Sequence, residues 1–100
     1  MYRQVLEIDA DDTLANYGLG TIHLERAEYD QAIDCLEKVL AQDAKYSVAY
    51  LALGKAYLAL RKQDSARDIF ERGIKVAASK GDLMPANQMQ SLLSQIRSSN

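Results

Sequence analysis

The chain repeats itself with a period of 34 residues. When residues 13–46 are set on residues 47–80, nine positions are identical: Ala15/Ala49, Leu19/Leu53, Gly20/Gly54, Leu24/Leu58, Asp30/Asp64, Ala32/Ala66, Asp34/Asp68, Glu37/Glu71 and Ala44/Ala78. His23/Tyr57, Leu36/Phe70, Lys38/Arg72 and Leu40/Ile74 are close. The same shift sets Val5, Leu6, Asp9 and Ala10 on Val39, Leu40, Asp43 and Ala44, so the chain opens on the last third of a further unit. A period between about 20 and 50 residues belongs to stacked supersecondary units, none of which buries its apolar face alone. The fold must then be an array in which each unit leans on the next.

Each unit reads as two helices. Leu14, Tyr17, Leu19, Ile22, His23 and Leu24 recur at helical spacing, behind Asp12 or Thr13 as an N-cap. Tyr29, Ala32, Ile33, Leu36, Val39 and Leu40 make one apolar stripe of a second helix. The second unit does likewise with Val48, Leu51, Leu53, Tyr57 and Leu58, then Ala66, Ile69, Phe70, Ile74 and Val76. No window alternates in the manner of a strand. The fold class is therefore all-α, built of antiparallel helix-turn-helix units.

Gly20 and Gly54 lie inside helices, where glycine costs about 1 kcal/mol relative to alanine. A helix keeps such a residue where a neighbour must come close. Ala32 and Ala66, twelve residues later on the second helices, are the expected partners.

These residues resemble the tetratricopeptide repeat, whose pattern runs W-x2-L-G-x2-Y, A-x3-F, P over 34 residues. The second unit has Tyr50-x2-Leu53-Gly54-x2-Tyr57 and Ala66-x3-Phe70; the first has Asn16-x2-Leu19-Gly20-x2-His23 and Ala32-x3-Leu36. Tyr29-Asp30-Gln31-Ala32 also looks like the family's usual start of a second helix. Ala10, Ala44 and Ala78 stand where the family closes a repeat with proline, which lets a second helix run longer, and Val39 and Gly73 replace its usual alanine. The resemblance covers residues 1–80. The expected organisation is one domain over residues 1–100: a partial repeat helix at 1–12, repeats at 13–46 and 47–80, and a capping helix with its tail at 81–100.

The last segment departs from the repeat. Gly81 after Lys80 reads as a helix stop, Asp82 as an N-cap and Pro85 as a first-turn residue. Met84, Met89, Leu92, Leu93 and Ile96 form the expected apolar stripe, with Gln88, Gln90, Ser91, Gln95 and Arg97 toward water and Arg97–Asn100 fraying. Repeat stacks need such atypical terminal helices. At the other end, Tyr2, Val5, Leu6 and Ile8 would pack on the first hairpin, or pair with another copy.

Charge and composition exclude several functions. Twelve basic against fourteen acidic residues give −2, without the basic excess of a nucleic-acid protein. No stretch is apolar enough to span a membrane, and Met1-Tyr2-Arg3-Gln4 is no signal peptide, so the expected location is cytoplasmic. One cysteine and one histidine make no zinc site. Asp9, Asp11 and Asp12 read as a loop and cap rather than a calcium site. Gly18 and Gly20 within a helix are not a phosphate loop. Cys35 and His23 have the chemistry of a nucleophile and base, but both read as packing residues. Neither catalysis nor a cofactor or metal is expected.

Binding to protein remains. The resemblance implies a concave surface lined by the first helix of each repeat. Projected on this sequence, it comprises Leu14, Tyr17, Thr21, Leu24 and Glu25, then Val48, Leu51, Lys55, Leu58 and Ala59, with Tyr46 from the turn. Leu24 and Leu58 suit core and groove equally. Tyr17 would anchor a partner peptide or helix, Lys55 would hold an acidic group and Glu25 a basic one. Relatives that grip a chaperone C-terminal carboxylate use Lys, Asn and Arg; the matching places here are Tyr17, Thr21 and Ala52, so that specialisation is not expected. The alternative is self-assembly, with terminal helices of different copies stacking into a homo-oligomer.

Overall fold

The computed structural model of the chain describes residues 12–98. They form five helices: α1 (Thr13–Glu25), α2 (Tyr29–Gln42), α3 (Ser47–Ala59), α4 (Gln63–Lys80) and α5 (Leu83–Ser98). There is no strand among the described residues. The expected N-terminal helix with Tyr2, Val5, Leu6 and Ile8, the residues Asp9 and Asp11, and the last two residues of the tail lie outside them.

Each helix packs on the next, and α1 also touches α3, and α3 touches α5. The outer helices behave differently: no Cα of α2 comes within 8 Å of one of α4. Odd helices crowd together while even helices splay, so the array curves with α1, α3 and α5 on its inner side. Helix α3 meets all four others. Its sequence suits that position. Lys55 is its one charged residue, and Ala49, Tyr50, Ala52, Leu53, Gly54 and Ala56 are all buried. The outer helices are amphipathic instead, burying Ala32, Ile33, Leu36 and Val39 from α2 and Ala66, Ile69, Phe70 and Ala77 from α4.

The intrahelical glycines do face a neighbouring helix, but not the alanines. A Cβ on Gly20 would stand 2.9 Å from Leu36 Cγ and 3.3 Å from Cys35 Cβ, and one on Gly54 would overlap the Phe70 ring. The true partner lies sixteen residues on in both repeats, one helical turn beyond Ala32 and Ala66. The missing side chain thus receives a large residue rather than a methyl. Gly73 is equally constrained: its Cβ would lie 2.5 Å from Tyr50 Cβ and 2.6 Å from Met89 Sδ.

The turns are held by one device used three times. Asp12 caps α1, its Oδ1 accepting from the Ala15 amide at 2.7 Å. At the other end, the Ala27 and Glu28 amides donate to the Leu24 and His23 carbonyls, with Ala27 left-handed at φ 60°. Arg61 and Lys62 repeat this against Leu58 and Tyr57, with φ 62° at Arg61. Gly81 and Asp82 repeat it against Ala78 and Ala77, with φ 74° at Gly81. This pairing closes a helix with a left-handed residue, and only the third instance uses the glycine that adopts it without strain.

The C-terminal helix buries Met89, Leu93 and Ile96. Met84, read as part of that stripe, is 72% exposed, because it lies five residues before Met89 and so off its face. Helix α5 extends through Arg97 to Ser98.

Candidate protein-binding surface

The inner face is built where α1, α3 and α5 begin. Leu14, Val48 and Met84 are the second residues of these three helices. Leu14 is 65% exposed, Met84 is more exposed still, and Val48 is half-buried. Between the first two rows lies an aromatic pair: the Tyr17 and Tyr46 rings have centroids 5.1 Å apart, tilted by 45°. Tyr17 is half-buried against Tyr46 and the core, and burial, followed by Tyr46, pushes its hydroxyl above the usual tyrosine range. Such tilted pairs contribute about 1 kcal/mol beyond the area they bury.

The other residues expected on this face divide by depth. Glu25, Lys55 and Ala59 are exposed; Thr21, Val48 and Leu51 are half-buried. The Thr21 hydroxyl is turned back on its own helix, donating to the Gly18 carbonyl at 2.8 Å. Leu24 and Leu58 pack on the core from partly exposed positions.

Tyr46 and Val48 also line a cleft of about 430 Å³ at the junction of α3 and α5, with Leu83, Met84 and Pro85 on its other side. Polar groups fix its rim. Ser47 Oγ donates to Asp82 Oδ2. Lys80 Nζ donates to the Lys45 carbonyl at 2.7 Å and lies 3.7 Å from Asp82. Leu83 and Met84 were missed as surface residues. The recurring apolar second position of the odd helices was the available signal.

The pair considered for chemistry is engaged otherwise. His23 Nδ1 meets Glu28 Oε1 at 2.8 Å beside the Ala27 turn, while Cys35 is half-buried behind Gly20. No cluster among the described residues has the composition of a metal site, and no helix described is long and apolar enough to cross a membrane.

A family model for the tetratricopeptide repeat matches residues 12–79. The chain belongs to the tetratricopeptide repeat family. A tetratricopeptide repeat-containing protein of Pseudomonas aeruginosa is 33% identical over 86 residues, 86% of this chain and 82% of that protein. The solution structure of a protein from Bordetella parapertussis superposes with a TM-score of 0.86 at 28% identity, covering 98% of this chain and 85% of that one. The second tetratricopeptide domain of human RPAP3, solved in complex with an HSP70 peptide, superposes at 0.81 with 24% identity, covering 96% of this chain and 75% of that one. Tetratricopeptide repeats are in general protein-interaction modules without catalysis of their own.

Proposed function

We propose that the inner face of this tetratricopeptide array binds a peptide or a helix of a partner protein. The observation that carries the reading is the alignment of Leu14, the Tyr17–Tyr46 pair, Val48 and Met84 across the starts of the three inner helices. Half-buried aromatics anchor a ligand at low entropic cost because they are already ordered. Leu51 extends the apolar floor. Glu25 and Lys55 offer one charge of each sign, and Thr21 and Ala59 fill the space between. The RPAP3 domain supports the reading at the level of the fold, since an array of this shape holds a peptide there. A face of this size suits affinities in the micromolar range.

Peptides selected from a random library on the chain are expected to shift inner-face amides in NMR spectra. They are expected to bind at least about tenfold more weakly to Tyr17→Ala, a loss of about 1.4 kcal/mol. Selected peptides that bind the variant equally would refute the assignment. A second reading, end-to-end stacking of copies, is favoured by the exposure of Leu14 on the first described helix. Light scattering across a concentration range separates the two: mass rising with concentration favours stacking, and a constant monomer favours the peptide.

A further inference from the structure

The splaying of α2 and α4 opens a second concavity, on the face opposite the one described above. Its volume is about 410 Å³, within the range of pockets that enclose ligands. The floor comes from α3, where Leu53 is almost wholly buried and Tyr57 half-buried. Leu40 and Ala41 of α2 form one wall and Ile69 of α4 the other. The lining is mixed: Leu40, Ala41, Leu53 and Ile69 give it an apolar strip long enough for a hydrocarbon stem, beside polar Glu37, Ser65, Asp68 and Arg72.

The charges at its mouth do not cancel. Asp68 on α4 is answered by Arg72 at 3.5 Å. Arg72 is itself held with its guanidinium 6.0 Å above the Tyr50 ring. The Glu37 carboxylate on α2 lines the cleft beside the Tyr57 hydroxyl, a neutral group that brings no positive charge. Burial and that carboxylate both push the Tyr57 hydroxyl above the usual range, so it stays a neutral donor. Glu37, Asp68 and Arg72 therefore leave one net negative charge beside the apolar strip.

We infer that this outer cleft is a second binding site, taking a lysine or arginine side chain of a partner protein. The stem would lie on Leu40, Ala41 and Ile69 and the cation on the Glu37 carboxylate. Lysine and arginine combine a hydrocarbon stem with a charged head that seeks the surface, the two properties the slot pairs. Arginine fits better, because a planar guanidinium engages a carboxylate through two parallel hydrogen bonds. This site shares no lining residue with the inner face, so either stands if the other fails.

The test is an NMR titration of the full chain with N-acetyl-arginine N-methylamide, a capped side-chain probe. N-acetyl-citrulline N-methylamide serves as the neutral control. The arginine probe is expected to shift the amides of Glu37, Leu40, Ala41, Tyr57 and Asp68 and to leave those of Tyr17 and Val48 in place. Glu37→Gln removes the charge with little change of shape and is expected to weaken the probe about fivefold, the range of a solvent-accessible ion pair. Ala41→Leu fills the mouth without changing charge and is expected to abolish the shifts. An unchanged melting temperature confirms that each variant is folded. Equal shifts with citrulline, no shifts, or full retention in Glu37→Gln would overturn the proposal. So would shifts of these amides on raising the protein concentration alone, which would make a second copy the occupant.

Discussion

The two repeats share a backbone and differ in what they do with it. In the first, α2 stops at Gln42; in the second, α4 runs four residues longer, from Gln63 to Lys80. The residue that decides this is Asp43 against its counterpart Ala77. Asp43 leaves the helix in an extended conformation, and its Oδ1 accepts the Lys45 amide at 3.0 Å. An aspartate side chain offers the backbone that alternative to another helical turn. Ala77 offers none and is wholly buried, so the helix continues to Gly81. The longer α4 then leads through Gly81 and Asp82 into α5, which buries Met89, Leu93 and Ile96. The missing proline thus lengthens a helix only where no other stop replaces it. A second difference lies at the glycines: Gly20 receives the flexible end of Leu36, Gly54 the rigid ring of Phe70.

Exchanging residues between the repeats tests this contrast. The largest effect is expected from Gly73→Val, which installs the first repeat's Val39 in the second. Its Cβ and methyls collide with Tyr50 and Met89, at a cost of about 3 kcal/mol in urea unfolding. Next is the pair Gly54→Ala and Gly20→Ala. The former should cost about 2 kcal/mol, because an aromatic ring cannot step aside. The latter should cost less than about 1 kcal/mol, because Leu36 can turn away and alanine favours the helix. Equal costs would show that the two glycine seats are the same after all.

Ser47→Ala removes the bond to Asp82 that joins α3 to the start of α5, at the place Thr13 holds in the first repeat. It should cost about 1 kcal/mol. The smallest change is a gain. Ala27→Gly and Arg61→Gly each relieve a left-handed residue and should raise stability by about 0.5 kcal/mol, equally in both repeats. Alkaline titration sharpens the contrast further. The Tyr17 hydroxyl is raised by burial and by Tyr46, so its contribution is complete below the unfolded value near 10 and is lost as pH climbs through the folded value. Tyr17→Phe should flatten that loss when melting temperature is followed above pH 10.

Much of the fold was legible in the sequence. The period of 34 located the helix pairs, and Gly81 and Asp12 marked ends that the structure keeps. What periodicity gives is the face of a helix, not the height at which a neighbour meets it. That is why the glycines were paired with Ala32 and Ala66 rather than Leu36 and Phe70, one turn away. The constraint on Gly73 left no local signal because it comes from Tyr50 and from Met89, on a helix outside the repeat. The turns at Ala27 and Arg61 left no signal, since neither residue favours a left-handed backbone. The Ser47–Asp82 bond joins residues 35 positions apart, and the outer cleft draws its walls and floor from three different helices, which no local pattern brings together. On the inner face, Tyr17, Tyr46 and the Leu14/Val48 correspondence were visible; their depth was not, because it depends on which helices crowd in beside them.

The position of α3 fixes how the chain comes apart. Every other described helix rests on it, so no division leaves two pieces that each retain their packing. Repeat arrays in general lose order from their ends, unit by unit, because each unit depends only on its neighbours. An array short enough for one helix to touch all the rest loses that freedom. The described helices are then expected to unfold in a single event, with the amides of α3 among the slowest to exchange with solvent.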